Sequence, residues 1–167
     1  MPDDLYDTDI LAWSQAQAAR LRRVAAGERV NDLDWAHVIE EVEDVGKSEL
    51  RAVTSNLRNA IAHALKLCAW PDNIAADHWK GEVVTFLANA RDHFEPGMQQ
   101  HVDPAGLYAD ALDDVRAAGT MGGRDALPLP GAVSLTTAEL RDRRFGAAAL
   151  LDRIHAAQSA AQPPAQA

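Results

Sequence analysis

One long stripe of regularly spaced core-type positions constrains this fold more than any other sequence feature. Between Leu33 and Pro71 such positions recur at steps of three and four, the spacing of one face of an α-helix. The stripe consists of Ile39, Val42, Gly46, Leu50, Val53, Leu57, Ile61, Ala64 and Cys68. Asp34 is suited to cap its start, and Pro71 cannot continue a helix. The sequence therefore predicts one long helix from Asp34 to Trp70.

The predicted helix is too long for an ordinary compact domain. Unbroken, it would measure roughly 55 Å at about 1.5 Å per residue, whereas a compact chain of this length is only about 40 Å across. Three outcomes remain open. Gly46 bends the helix, or a turn at Gly46 ends it and Ser48 caps a second helix, or one end projects and is covered by a partner chain.

Shorter amphipathic segments with helix caps and stops flank the long helix. They predict helices over residues 8–26, 75–94, 104–118, 136–144 and 147–158. The Gly-rich and Pro-rich stretch 120–135 predicts a loop, and no strand is expected. The fold class is therefore all-α: a helical bundle of about five to six helices around one long central helix, which a kink at Gly46 would shorten. Residues 1–158 are expected to form a single domain, and residues 159–167 a disordered C-terminal tail.

The charge of the chain argues against two classes of partner. The formal net charge is −9, and an acidic protein repels both phosphate backbones and anionic membranes. No apolar run approaches the length of about 18 residues that crosses a membrane. The acidic start has no apolar core, so no signal peptide is expected, and the single cysteine, Cys68, fits a reducing compartment. We expect a cytoplasmic protein whose partner is a second copy of itself or a basic protein.

Acidic and polar residues on the long helix are the best candidates for a site. Four carboxylates, on Glu40, Glu41, Glu43 and Asp44, fall within five positions. They suit a divalent cation or a basic partner surface, or simply form a solvated face near a helix start.

A second polar line lies beside the stripe. Glu49, Asn56 and His63 recur at steps of seven, so they stack along one side of the helix, with Lys66 nearby. If these groups are half-buried, they would perturb one another's pKa values, as at a functional site. The alternatives are a hydrogen-bonded network that fixes helix register, or plain exposure to solvent.

The histidines offer only a weak metal site. His63, His78 and His93 lie on different predicted helices or at their ends, as ligands in helical bundles do. No Glu-x-x-His or His-x-x-x-His pair is present, so any site would have to assemble from distant residues. We predict no metal and no cofactor. Phosphate loops and nucleophile elbows are also missing, which favours a protein that is not an enzyme.

Several motifs are spread over residues 5–145, and the string from Glu40 to Glu49 is the most specific of them. They are Asp7-Thr8-Asp9-Ile10-Leu11-Ala12-Trp13, Glu40-Glu41-Val42-Glu43, Gly46-Lys47-Ser48-Glu49, His63-Ala64-Leu65-Lys66, Pro71, Trp79, Arg91 and the Pro-rich stretch 128–140. Together they resemble a bacterial family known as domain of unknown function twenty-nine, met mainly in cyanobacteria and proteobacteria. Ala64 stands where that family usually has Leu. The resemblance implies a helical fold and a bacterial source, and it implies no activity.

The family resemblance and the analysis of individual residues select the same set of polar residues. The candidate cluster is Glu40, Glu41, Glu43, Glu49, His63, Lys66 and Arg91. Two functional hypotheses follow. The first is a non-catalytic helical interaction module that associates with itself. The alternative is a metal-dependent enzyme on a helical bundle that uses His63 and nearby carboxylates.

Overall fold

The computed structural model describes residues 5–161, and within this range the chain is all-helical apart from one small hairpin, as predicted. The helices are α1 (Leu5–Thr8), α2 (Ile10–Ala25), α3 (Trp35–Ala69), α4 (Ala76–Asp92), a 3₁₀ helix (Pro96–His101), α5 (Pro104–Ala117), α6 (Thr137–Arg141) and α7 (Ala147–Ala161). The hairpin pairs β1 (Thr120–Met121) with β2 (Arg124–Asp125). The long central helix of the sequence prediction is α3.

The described residues fall into two compact units, with the division between Ser48 and Glu49. The first unit holds α1, α2 and the start of α3. The second holds the remainder of α3 and the elements that follow it. The single domain expected over residues 1–158 stays a prediction. Helix α7 continues to Ala161, beyond the predicted end at residue 158, because its Ala-rich end strongly favours helix. The remainder of the predicted tail, residues 162–167, lies outside the described residues.

Helix α3 runs without interruption through Gly46. No turn forms at Gly46 and no new helix begins at Ser48. The second of the three predicted outcomes is therefore wrong. A Cβ atom built on Gly46 would meet no other atom within 4 Å, so no neighbouring element uses the small size of this residue. Helix propensity is only a weak preference, and the good helix formers on both sides of the glycine outweigh its cost of about 1 kcal/mol.

The first unit is built around a buried tryptophan. Trp13 and Leu33 are buried, and between them lies Gln17, the only buried polar residue among those described. The Gln17 side-chain oxygen accepts a hydrogen bond of 3.1 Å from the backbone N–H of Asp34, which satisfies a polar group on each partner. The cap of α2 is Asp9, so the helix begins after the predicted start at residue 8, because residues 5–8 form the separate short helix α1.

The second unit has an extended apolar core. Its largest fully buried side chains are Val53, Leu57, Ile61, Leu65, Val83, Leu87, Tyr108, Val115, Leu140, Leu150 and Ile154. They come from α3 to α7, so the second half of α3 is the element against which the later helices collect their apolar faces. Burial of such a core is the main stabilising term of the unit. Cys68, which lies on the predicted stripe, is buried in it together with Trp70 and Trp79.

The Gly-rich segment departs from the prediction, since it forms a hairpin and not an irregular loop. Gly122 and Gly123 adopt φ angles of +59° and +73°, and two consecutive positive φ values are the requirement of a tight hairpin turn. The indole N–H of Trp70 donates to the carbonyl of Arg124 at 3.0 Å and fastens the hairpin to the end of α3. Two residues per strand give too short an alternation of side chains for a sequence pattern to reveal.

The short helix α6 begins as the sequence predicts. Thr136 and Glu139 form a reciprocal capping box, each side chain bonded to the backbone N–H of the other. The helix ends at Arg141, earlier than the predicted residue 144, because Asp142 has extended backbone angles.

Candidate functional site

The first half of the apolar stripe on α3 is exposed. Trp35, Ile39, Val42 and Val45 are at least half exposed to solvent, and we call these four residues the exposed stripe. The sequence predicted core-type positions along the whole stripe, and the structure corrects this for Ile39 and Val42, which are exposed. Burial depends on which neighbouring elements exist, and in the first unit the described neighbours of α3 are α1 and α2, which leave this face open. Contiguous exposed apolar side chains of this kind mark interaction surfaces.

The acidic run of α3 lies along the exposed stripe. Glu40 and Glu43 are exposed. Lys47 contacts the Glu43 carboxylate at 3.5 Å and the Asp44 carboxylate at 3.0 Å, so it offsets part of this charge. Glu41 and Asp44 are half-buried, and Glu41 differs from the rest of the run because it accepts a hydrogen bond of 2.8 Å from the Tyr6 hydroxyl. The run is therefore split between a solvated edge and one residue that holds α1.

A connected set of aromatic and polar groups supports α3 inside the first unit. The Tyr6 ring stacks on the His37 ring, with centroids 3.8 Å apart, and meets the Trp13 ring edge-on at 4.9 Å. Asp34 accepts a hydrogen bond of 2.7 Å from His37 Nδ1 and one of 3.1 Å from the Trp13 indole N–H. These contacts fix the start of α3 against α1 and α2. The helix that carries the exposed stripe is therefore held on its other side.

The same contacts shift the ionisation of three groups. The hydrogen bond to Asp34 raises the pKa of His37 above its ordinary value, and the hydrogen bond from His37 lowers the pKa of Asp34. The hydrogen bond to Glu41 raises the pKa of Tyr6 to about 12, with partial burial adding to it. At neutral pH the phenol therefore stays protonated and Asp34 stays ionised. The set is suited to holding the start of α3 against α1 and α2.

His63 is half-buried in the second unit. Its Nδ1 donates to the Asn59 carbonyl at 2.8 Å, and its ring lies 5.4 Å from that of Phe86. Burial lowers the pKa of His63, and the nearby Lys66 charge lowers it further while Glu82 opposes this. His63 is thus neutral at physiological pH, with Nε2 unprotonated. Its bond to the carbonyl one turn earlier orients the ring within the same helix.

The remaining predicted carboxylate and histidines form no metal-binding group. Glu49 lies 3.6 Å from His93 Nδ1, and both side chains are exposed. His78 is exposed on α4. Over residues 5–161, no three His, Cys, Asp or Glu side chains are grouped so that they could hold a metal ion. Within the same range, no helix is both long enough and apolar enough to cross a membrane.

Arg91 links α4 to the segment after α6. Its Nε donates to the Leu140 carbonyl at 2.8 Å and its Nη2 to the Phe145 carbonyl at 2.7 Å. Burial lowers the pKa of Arg91, and the neighbouring Arg143 charge lowers it further, with Asp142 acting in the opposite direction. The predicted cluster is therefore distributed over separate contacts: Glu40, Glu41 and Glu43 belong to the first unit, and Glu49, His63, Lys66 and Arg91 to the second.

Sequence reasoning missed the support that Tyr6, Asp34 and His37 build. The spacing of Asp34 and His37, three residues apart at a helix start, carried a detectable signal, because such residues face each other. The contact with Tyr6 joins residues more than thirty positions apart and leaves no periodic signal.

Fold and contacts together define an all-helical protein with an exposed, acid-edged helix face and no recognisable catalytic constellation in its described residues. The chain belongs to the family described as domain of unknown function DUF29, whose signature matches residues 5–145. This confirms the resemblance that the motifs carried. No curated protein matches the chain.

A solved structure supports the fold. The chain is similar to an alpha-helical protein of unknown function from Rhodospirillum rubrum, with 28% sequence identity and a TM-score of 0.64. The match covers 89% of this chain and 96% of that one. Neither the family nor this structure carries a known activity.

Proposed function

We propose that this protein is a non-catalytic docking module that binds a basic amphipathic helix on the exposed stripe of α3. The observation that carries the proposal is the exposure of Trp35, Ile39 and Val42 on a helix whose other side is held by buried contacts. An amphipathic helix lays its own apolar face against such a surface through positions spaced by three and four residues. From Trp35 to Val45 the stripe is about 15 Å long, which matches roughly three turns of a partner helix.

The negative charge of the first fifty residues favours one kind of partner over another. Residues 1–50 contain 12 carboxylates and 5 Lys or Arg, a balance of −7 out of the total of −9. Two copies of the chain that met through this face would bring the acidic runs at Glu40 and Glu43 together. A partner helix with Lys and Arg beside its apolar face would be attracted to the same edge. A second copy of this chain, which the sequence suggested as a partner, is therefore the less favoured occupant of the exposed stripe.

A cytoplasmic location is part of this proposal. Its support is the single cysteine, Cys68, which is buried as a free thiol, as is usual in a reducing compartment. The alternative of a metal-dependent enzyme has no comparable support, because His63 has only Glu82 as a neighbouring carboxylate influence.

The test uses a labelled synthetic amphipathic peptide of Leu and Lys as the probe. The full chain should bind this peptide, and Ile39→Ser should weaken binding about tenfold, as expected for the loss of a central apolar anchor. Ile74→Ser is the matched control, because Ile74 is also exposed but lies outside the stripe. A peptide of Leu and Glu should bind far more weakly.

Three results would overturn the proposal. One is equal binding by the Ile39→Ser and Ile74→Ser proteins, and another is equal binding of the Leu–Lys and Leu–Glu peptides. The third is a dimer, seen by light scattering of the unmodified protein, that Ile39→Ser dissociates, since the stripe would then belong to a second copy of this chain.

A further inference from the structure

A small cavity in the second unit lies apart from the exposed stripe. Its volume is about 220 Å³, and it opens beside α4 and the start of α7. Typical pockets for drug-sized ligands measure roughly 300–1,000 Å³, so this cavity suits a smaller molecule. Val84, Leu87, Ala88 and Ala147 form apolar walls, and the guanidinium groups of Arg91 and Arg143 supply the charge.

The Arg91 guanidinium has unused binding capacity. Its two hydrogen bonds, to the carbonyls of Leu140 and Phe145, use two of the five N–H groups of the side chain. Arg91 makes no ion pair within the part of the chain that the structure describes. The nearby Asp142 carboxylate is bonded to Arg144 at 2.9 Å. The half-buried guanidinium therefore has no anion in direct contact, and only the more distant charge of Asp142 acts on it.

Arg143 lines the same cavity, and only a weak contact fixes its side chain. Its Nη2 donates to Asp92 at 2.9 Å, but both side chains are largely exposed. Exposed ion pairs of this kind contribute little free energy and exchange readily with other partners. An anion in the cavity would therefore compete with the Asp92 carboxylate for Arg143.

We propose that this cavity binds a small aliphatic carboxylate. The carboxylate group would be bound by the guanidinium groups of Arg91 and Arg143, and the hydrocarbon part would contact Val84, Leu87 and Ala147. Guanidinium groups are planar and match the two oxygens of a carboxylate. The apolar walls favour a short fatty acid over an inorganic anion, because only the fatty acid has a hydrocarbon part that can contact them.

The test is a titration of the isotope-labelled full chain with sodium valerate, followed by NMR shifts of backbone amides. Saturable shifts are expected in residues 84–91 and 143–147. Arg143→Gln should weaken binding about tenfold, since it removes one charged partner. Asp92→Asn should strengthen binding several-fold, because it frees Arg143. Arg116→Gln and Asp113→Asn on α5 are the controls of equal charge change, and both should bind as the unmodified protein does.

Several results would overturn this proposal. They are the absence of saturable shifts, shifts that lie outside the cavity, and equal weakening by Arg143→Gln and Arg116→Gln. Equal affinity for acetate and valerate would overturn the ligand class, because the apolar walls would then contribute nothing. Inorganic phosphate that binds as well as valerate would overturn it in the same way.

Discussion

The ring of Tyr6 lies on the ring of His37, 3.8 Å between centroids and only 20° from parallel. The contact joins α1 to the first turn of α3, and the Tyr6 hydroxyl adds a hydrogen bond to Glu41 one turn further along. His37 is at the same time bonded to Asp34. The stability of the first unit therefore depends on the protonation of this histidine.

The His37–Asp34 pair predicts a pH dependence with a defined sign. Asp34 raises the pKa of His37 above its ordinary value of 6.5, so the stabilisation is fully present below 6.5 and is lost as the pH rises through the folded-state pKa. The pKa of Asp34 lies below its ordinary 3.8, so its contribution is present above 3.8 and is lost as the pH falls further. Urea unfolding followed by circular dichroism should show the largest contribution of the pair between these pH values.

Asp34→Asn provides the check on this assignment. In this variant the pKa of His37, measured by NMR titration of its ring, should move back toward 6.5, because the hydrogen bond to a charged partner is lost. A titration that does not move would contradict the assignment.

Truncation of two tryptophans of the first unit should change the free energy of unfolding by very different amounts. Trp13 is 4% exposed and Trp35 is 54% exposed. Trp13→Ala should lower the free energy of unfolding by about 3–5 kcal/mol, the usual cost of deleting a buried aromatic ring. Trp35→Ala should change it by less than about 0.5 kcal/mol, as for other surface substitutions. Denaturant unfolding of both proteins measures the difference, and similar losses would show that Trp35 is covered in solution.

Two glycines allow the same substitution to be tested with opposite expected signs. Gly46 lies within α3 with open space beyond it, so Gly46→Ala should stabilise the protein by about 0.5–1 kcal/mol. Gly27 ends α2 with a φ angle of +83°, a conformation that strains alanine, so Gly27→Ala should destabilise it by about 1 kcal/mol. Midpoints of thermal unfolding provide the measurement. Destabilisation by Gly46→Ala would mean that another chain packs closely against this glycine.

Removal of Arg91 should loosen the segment that it holds. Arg91→Gln removes the charged donors to the carbonyls of Leu140 and Phe145, and we expect a loss of about 1.5–3 kcal/mol. Arg91→Lys should restore only part of this, because an ammonium cannot reproduce the two directed bonds of a guanidinium. Amide hydrogen exchange of residues 137–146 should accelerate in both variants. Unchanged exchange would show that the apolar contacts of Leu140 alone hold the segment.

Cys68 should react only when the second unit opens. The thiol is buried, and burial raises its pKa from 9.0 to about 11, so almost no thiolate exists at neutral pH. Labelling with a disulfide reagent should be slow in the folded protein and fast in denaturant. Fast labelling of the folded protein would contradict the buried position.

Much of the architecture could be predicted from local chemistry. The caps at Asp103 and Thr136, the stop at Gly27 and the helical spacing from Asp34 onward act over a few residues, so the sequence states them directly. The buried positions of α3 from Val53 onward also follow from their spacing. The hairpin at Gly122 was missed because two-residue strands have no measurable period.

Periodicity in the sequence determined that α3 has one apolar stripe, but it did not determine which part of the stripe is covered. That was decided by the tertiary structure, since coverage depends on whether other helices are long enough and close enough to pack there. The second half meets α4 to α7 and becomes core, while Trp35, Ile39 and Val42 stay exposed. In the same way, the residue types of Glu41, His63 and Arg91 marked them as candidates, and only the fold assigned each of them its partner. Long-range contacts leave no local pattern, because chain folding alone sets the distance between residues that are far apart in sequence.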